Sequence, residues 1–529
     1  MNTFRIPRFP ALGLLFGWLT FFAAIVSVAV FAGFAASTGS FFIVGIIGAL
    51  LCGIFLVFAP IPLLWFVIVG STTVAGLTSL YFPEAGPVRW AFVIAAVFLG
   101  LASVIRHMLD AMNRPRGAVG QFNPILFWAL LYFVIVTASS FYNGGLNFGG
   151  IVGLKNHFQV WGILLAFIFV PMSLRHANAF LYYLLFLGAI QLVPVLHQYL
   201  FLTQHRAGLT QVDVVVGTFV GSMQGGGANA LLAMVQVICV AILAGFWRQR
   251  KIGGLATLAV SLFLLIPTLL NEAKIVLVAL PLALGVVFWD YLKRRIGVLL
   301  VSAALIVPLL LGILWGQAEI MREHNRGKNK DLESFVQNTI DYNVGDRGHG
   351  RYILNRTTVY PFWWSEHGVH NMLQTFVGHG AASSKDSGAG LSERTLALTR
   401  YPGYGVGLTG VSALLWETGV LGLAAVIGLF VSAFRLTGRL ADHYRGTQTG
   451  MNIRAVRAGI AVFAFSLLHN QSFVFELGYQ TVLMLLLGYV AALSRLTRVA
   501  GRYDAKKAAA QGDSQRTETH GGAVANPSW

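Results

Sequence analysis

The stretch ANALLAMVQVICVAILAGFWRQRK, Ala228 to Lys251, decides the fold. From Ala228 to Phe246 it carries no charged side chain. At about 1.5 Å per residue, a run of that length in helical form crosses the hydrocarbon core of a bilayer. It ends at Arg248, Arg250 and Lys251, and Lys and Arg gather on the cytoplasmic side of membrane proteins. One segment therefore predicts both a span and its direction, with the RQRK end inside and the Ala228 end outside.

The same signature repeats along the chain. Apolar runs lie near 11–35, 41–58, 61–81, 88–105, 123–141, 157–174, 178–203, 228–246, 253–270, 275–292, 296–316, 408–434, 457–475 and 478–495. With 56% hydrophobic residues and only 11% charged, the chain has more apolar surface than soluble cores can bury. It reads as an all-α polytopic membrane protein with about 14 transmembrane helices. Arg5 and Arg8, the arginines 106, 114 and 116, Arg175, the KRR at 293–295, Arg435 to Arg457 and the tail from Arg495 all fall on the RQRK side. Both termini are thus expected in the cytoplasm. The net charge of +17 follows from that bias, and no nucleic-acid partner is implied. Cys52 and Cys239 sit singly inside apolar runs, so neither a disulfide framework nor a zinc site is expected.

Four regions follow: an N-terminal membrane domain, 1–316, of about 11 spans; a long outer loop, 317–407; C-terminal membrane helices, 408–495, of about three spans; and a polar tail, 496–529, read as disordered and cytoplasmic. A loop as long as 317–407 is usually functional.

Three outer-face stretches carry polar chemistry. In HRAGLTQVDVVVGTFVGSMQGGGANALLAMV, Arg206 precedes a triple glycine that leads into a helix N-terminus, an arrangement suited to phosphate or else a plain flexible entry. In LLNEAKIVLV, Glu272 and Lys274 either face a cavity as a pair or snorkel at the interface. The third is RGHGRYILNRTTVYPFWWSEHGVH, Arg347 to His370. Its glycines keep Arg347 in a loop, while Arg351 and Arg356 are expected to lead a helix through Trp364. The guanidinium fork matches phosphate oxygens; the plain alternative is a solvated surface balanced by Asp341, Asp346 and Glu366. Trp363, Trp364, Tyr401 and Tyr404 either stack on sugar faces or sit at headgroup level.

Taken in order, the outer-face Arg206, the Gly217–Phe219 segment with Asn229 and Ala230 after it, the Gly350–Arg351 pair in the long loop, the GHG at 378–380 and WETGVLGLAAVIGLF opening the next span resemble the O-antigen polymerase and ligase superfamily, over about residues 206–430. That resemblance implies a lipid-carrier (GT-C-like) glycosyltransferase architecture with one long periplasmic loop in the bacterial inner membrane. The substrates would be glycans carried on undecaprenyl diphosphate, with no metal or nucleotide cofactor, and the partners the lipid bilayer, a flippase and a chain-length regulator. Arg206 and Arg351 would bind the diphosphate, with Arg347 or Arg356 assisting. A sugar hydroxyl must then lose a proton, and His379, His370 and Glu366 are the candidate bases, His379 first because it lies between two glycines. Ligases of the superfamily present a His-Asn pair shortly before the Glu-x-Gly helix. The segment RYPGYGVGLTGVSALLWETG holds no histidine, which ranks a polymerase of exopolysaccharide, capsule or O-antigen ahead of an O-antigen or protein-glycan ligase. A transporter or flippase for a lipid-linked glycan has the same hydropathy but usually carries ionisable residues within its spans.

Overall fold

The computed structural model describes residues 59–85, 87–112, 123–144, 148–206, 211–223, 228–271, 273–293, 296–324, 332–344, 354–385 and 395–520, with the backbone alone for 148, 296, 298–303, 305, 321, 323, 324, 332, 335, 342 and 499–520. The runs 11–35 and 41–58, together with Glu272, Arg347, Arg351 and the triple glycine, lie outside the described residues.

The first half comprises α1 (Pro60–Tyr81), α2 (Val88–Met112), α3 (Pro124–Tyr142), α4 (Phe148–His157), α5 (Gly162–Phe169), α6 (Leu174–His205) and α7 (Asn229–Arg248). The shorter apolar helices α8 (Gly254–Leu270) and α9 (Val276–Leu292) and the longer α10 (Ile296–His324) follow. Next come α11 (Leu332–Asn343), α12 (Val359–Glu366), α13 (Met372–Val377) and α14 (Leu396–Arg400). The chain closes with α15 (Gly410–His443), α16 (Gln448–Ser466), α17 (Ser472–Phe475) and α18 (Leu477–His520). Among the described residues, 7 helices are long and apolar enough to cross a membrane, or up to 8 if α4 and α5, bent by 45°, count as one span. The protein is an all-α, multi-pass membrane protein.

Burial sorts these helices. The apolar window of α18 is 100% buried and that of α7 89%, against 33% for α3. α7 and α18 are therefore the centre, and α3 belongs to the rim, where Leu130, Phe133 and Val134 stand about half exposed. Apolar side chains on both the inner and the outer side of a helix fit a lipid surround. α16 packs against α7, α9 and α15, and α15 lies along α3. Residues 354–385 and 395–407 form a cap over the start of α15, with a small core of Leu354, Trp363, Ala397, Tyr401, Leu415 and Trp416.

The structure differs from the hydropathy reading at several helix ends. The run 157–174 is broken, because α4 stops at His157 and α5 starts at Gly162. The run 457–475 is interrupted after Ser466. The helix expected from Arg351 begins only at Val359. The Asn355 carboxamide oxygen accepts from the N–H groups of Thr357 and Thr358 at 2.9 and 2.8 Å, a local turn that competes with the helix and leaves Arg356 in front of it. At the other end α18 runs on to His520 where an irregular tail was expected; Ala, Lys, Gln and Arg, abundant there, are strong helix formers.

Candidate functional site

α15 begins with a capping box in which Thr409 and Ser412 satisfy each other's backbone N–H groups. Two turns on, the helix breaks at Gly419, whose φ is +64°. A break of this kind strips carbonyls of their partners four residues later. Those of Trp416 and Glu417 are taken up by the GHG turn, through His379 N–H at 2.8 Å and Gly380 N–H at 3.0 Å, and Ser139 Oγ also donates to the Glu417 carbonyl at 2.9 Å. Gly378, at φ +76°, lies so close to this backbone that an added Cβ would stand 2.5 Å from the Glu417 carbonyl carbon. The two motifs singled out separately in the sequence thus meet backbone to backbone.

The Glu417 side chain is fully buried at this junction. His157 Nε2 lies 2.6 Å from one carboxylate oxygen, and Ser384 Oγ donates to the other at 2.7 Å. The Tyr132 hydroxyl is 2.6 Å from His157 Nδ1. A proton on Nε2 satisfies the set, since Nε2–H donates to the carboxylate and Nδ1 accepts from Tyr132. The network ties α3, α4, the cap and α15 together.

Beside it, His379 stacks on Trp416, and its Nε2 lies 2.8 Å from Nε2 of His367. His367 Nδ1 lies 2.8 Å from the Trp363 carbonyl. The carbonyl can only accept, so Nδ1 carries the His367 proton and its Nε2 accepts from His379 Nε2–H. That leaves the Nδ1 of His379 as a proton acceptor. Burial, then the neighbouring His367, lowers the His379 pKa to about 4, and burial lowers that of His367 as well. Both rings are neutral near pH 7. The other two expected bases fare differently. Glu366 accepts from the Tyr401 hydroxyl at 2.5 Å and pairs with Arg400 at 3.4 Å, while His370 is exposed on the cap.

Of the expected cations, Arg206, Arg356 and Lys274 lie among the described residues, Arg206 and Arg356 in separate sets of contacts. Arg206 is buried, with Nη2 3.3 Å from an Asp213 oxygen. The other Asp213 oxygen accepts from Asn229 at 3.3 Å, and the Asn229 carbonyl accepts from Asn271 at 3.0 Å. Lys274 is half-buried three residues further on. Arg356 Nε donates to the His469 carbonyl at 2.6 Å, and its Nη1 bonds to Asn343. Burial, then Arg356 and then Lys274, pushes the His469 pKa down to about 3, so both cations act on one imidazole.

Sequence reading passed over a further set. Lys155 Nζ sits 4.6 Å over the Trp90 ring, and Lys385 Nζ 5.7 Å from the Phe475 ring. Burial and the nearby Arg89 lower the pKa of Lys385, with Glu417 opposing them. No carboxylate of the described residues forms an ion pair with Arg89, Lys155 or Lys385. Next to Phe475, the half-buried Glu476 is pushed up to about 7 by burial. The one signal in the sequence was the Lys-Asn-His of residues 155–157, polar residues at the head of an apolar run. Among the described residues no three His, Cys, Asp or Glu side chains converge as metal ligands. No protein-family model and no curated protein matches this sequence.

Proposed function

We propose that the protein is a glycan polymerase of the bacterial inner membrane, joining oligosaccharide repeat units carried on undecaprenyl diphosphate at the periplasmic face, for an exopolysaccharide, capsule or O-antigen. The observation that carries this reading is the placement of basic residues near the break and the start of α15, alongside a neutral His379. Lys155 and Lys385 are close to each other and Lys385 is close to Glu417, while Arg356 and Lys274 both act on His469. Arg206 joins them on the resemblance alone. A hydroxyl oxygen of one lipid-linked chain attacks the anomeric carbon of another. The bond from that carbon to the diphosphate breaks, its electron pair leaves with the lipid diphosphate, and the hydroxyl proton passes to His379 Nδ1. Charge builds on the leaving group, so fixed cations in a water-poor site lower the barrier most. The glycan arrives already activated by its diphosphate, and a flippase and a chain-length regulator are its proposed partners.

A ligase is the second reading, and one contact favours it. The segment before Glu417 holds no histidine, yet His379 stacks on Trp416, so a histidine does stand at that helix in space. Polymerase and ligase share the donor and differ in the acceptor.

The test is replacement of Arg206 and of Arg351 by Lys, which keeps the charge and loses the fork. Loss of a charge-assisted contact raises the barrier by about 2–4 kcal/mol, roughly 30- to 1000-fold in rate. Complemented cells should then show shortened glycan ladders at normal membrane levels of the protein, while Lys328→Ala and Lys330→Ala leave them intact. Normal ladders from both Arg→Lys variants would remove these residues from the site.

A further inference from the structure

The far end of the helices holds a second polar site. Beyond its break at Gly419, α15 runs on to His443, about 36 Å at about 1.5 Å per residue. There a cavity of about 490 Å³ is lined by Arg248 at the end of α7, Asp290 and Tyr291 at the end of α9, Arg445 after α15, and Arg454 of α16. Its volume falls within the range of small-molecule sites.

The charges do not balance. Asp290 is the one carboxylate of the lining and is paired with Arg454, whose side chain is only 12% exposed. Lys293 adds a further cation 3.8 Å from Asp290. Arg248 is steered by its bond to the Val287 carbonyl at 3.1 Å and by stacking 4.4 Å over the Tyr291 ring. Arg445 has only an exposed partner, Asp442, in a pair that solvent screens. The backbone of Gly446 and Thr447 brings the positive end of α16 to the same wall. Basic residues at a cytoplasmic membrane edge ordinarily face open water; here guanidinium groups from three segments line one half-open cavity.

We propose that this cavity binds a phosphate-bearing anion, either the headgroup of an anionic phospholipid or a soluble phosphate compound. A guanidinium fixed by a ring and a carbonyl, as that of Arg248 is, presents its remaining donors to phosphate oxygens with little left to order on binding. The site is independent of the chemistry at the other end of the molecule.

The test uses the full chain in detergent micelles. Native mass spectrometry would follow titration with phosphatidylglycerol against phosphatidylcholine, and calorimetry would follow inorganic pyrophosphate. At least one of the two anions should bind saturably. Arg248→Gln with Arg445→Gln, which leaves the Asp290 and Arg454 pair in place, should weaken binding at least tenfold. Arg439→Gln, an exposed cation outside the cavity lining, should not. If the double variant does not fold, Arg445→Gln alone should weaken binding several-fold. Phosphatidylglycerol binding alone identifies a headgroup, and pyrophosphate binding identifies a soluble ligand. Absence of saturable binding of both anions, or equal weakening by Arg439→Gln, would overturn the proposal.

Discussion

Glu417 shows how much rests on single side chains here. Its carboxylate is fully buried and satisfied by His157 and Ser384, so Glu417→Ala leaves an imidazole and a hydroxyl without their partner. Breaking a buried pair in this way costs about 3–5 kcal/mol. Thermal unfolding in detergent should show a large loss for Glu417→Ala and a smaller one for Glu417→Gln, whose amide still reaches both groups. The pH profile distinguishes two proton acceptors. The His379 pKa, about 4, lies below the ordinary histidine value. Its contribution to stability is therefore complete above about pH 6.5 and lost as pH falls toward 4. As the base, it would keep the rate flat from about pH 8 down to about pH 5. Glu476, raised to about 7, is protonated below that value, and a rate falling in proportion to acidity below about pH 7 would assign the base to it instead. At this scale the sequence was informative about residue types and weak on partners. His379 and Glu366 were visible as titratable groups, yet nothing local distinguished a histidine facing another imidazole from a carboxylate already engaged by Tyr401 and Arg400.

The contact between the GHG turn and the break in α15 belongs to the scale of elements. Gly378 and Gly419 both adopt positive φ, and an added Cβ at either would lie within 2.5 Å of the other strand of backbone. Gly378→Ala and Gly419→Ala should each lower stability by about 1–3 kcal/mol, through a strained φ and a displaced turn. Each should also reduce activity. Gly285→Ala in α9, where nothing lies within 4 Å of the added carbon, should be neutral or stabilising by about 0.5–1 kcal/mol. Both motifs could be read from the sequence, but their meeting could not, because some forty residues separate them and the contact is made by main chain. Hydropathy likewise located the apolar runs at 157–174 and 457–475 without revealing the breaks inside them. A break is set by local hydrogen bonding and packing, and an averaged window smooths both away.

For the whole molecule, the class was legible from composition, since no soluble core accommodates so much apolar surface. The direction of the spans rests on basic clusters and remains a prediction with a direct check. Single cysteines at Ser365 and Thr399 in the cap, and at Gly446 and Thr447 beside the arginine-lined cavity, would be placed on a background with Cys52 and Cys239 replaced. An impermeant thiol reagent applied to cells with a permeabilised outer membrane should label the first pair and spare the second. Labelling of the second pair alone would invert the molecule. The central claim is chemical, and the most direct measurement is turnover by the purified full chain in lipid vesicles supplied with a polyprenyl-diphosphate-linked oligosaccharide. The expected result is a ladder of longer glycans, with one polyprenyl diphosphate released for each bond formed. Folded protein that yields neither longer glycans nor released lipid diphosphate from the organism's own repeat unit would contradict it.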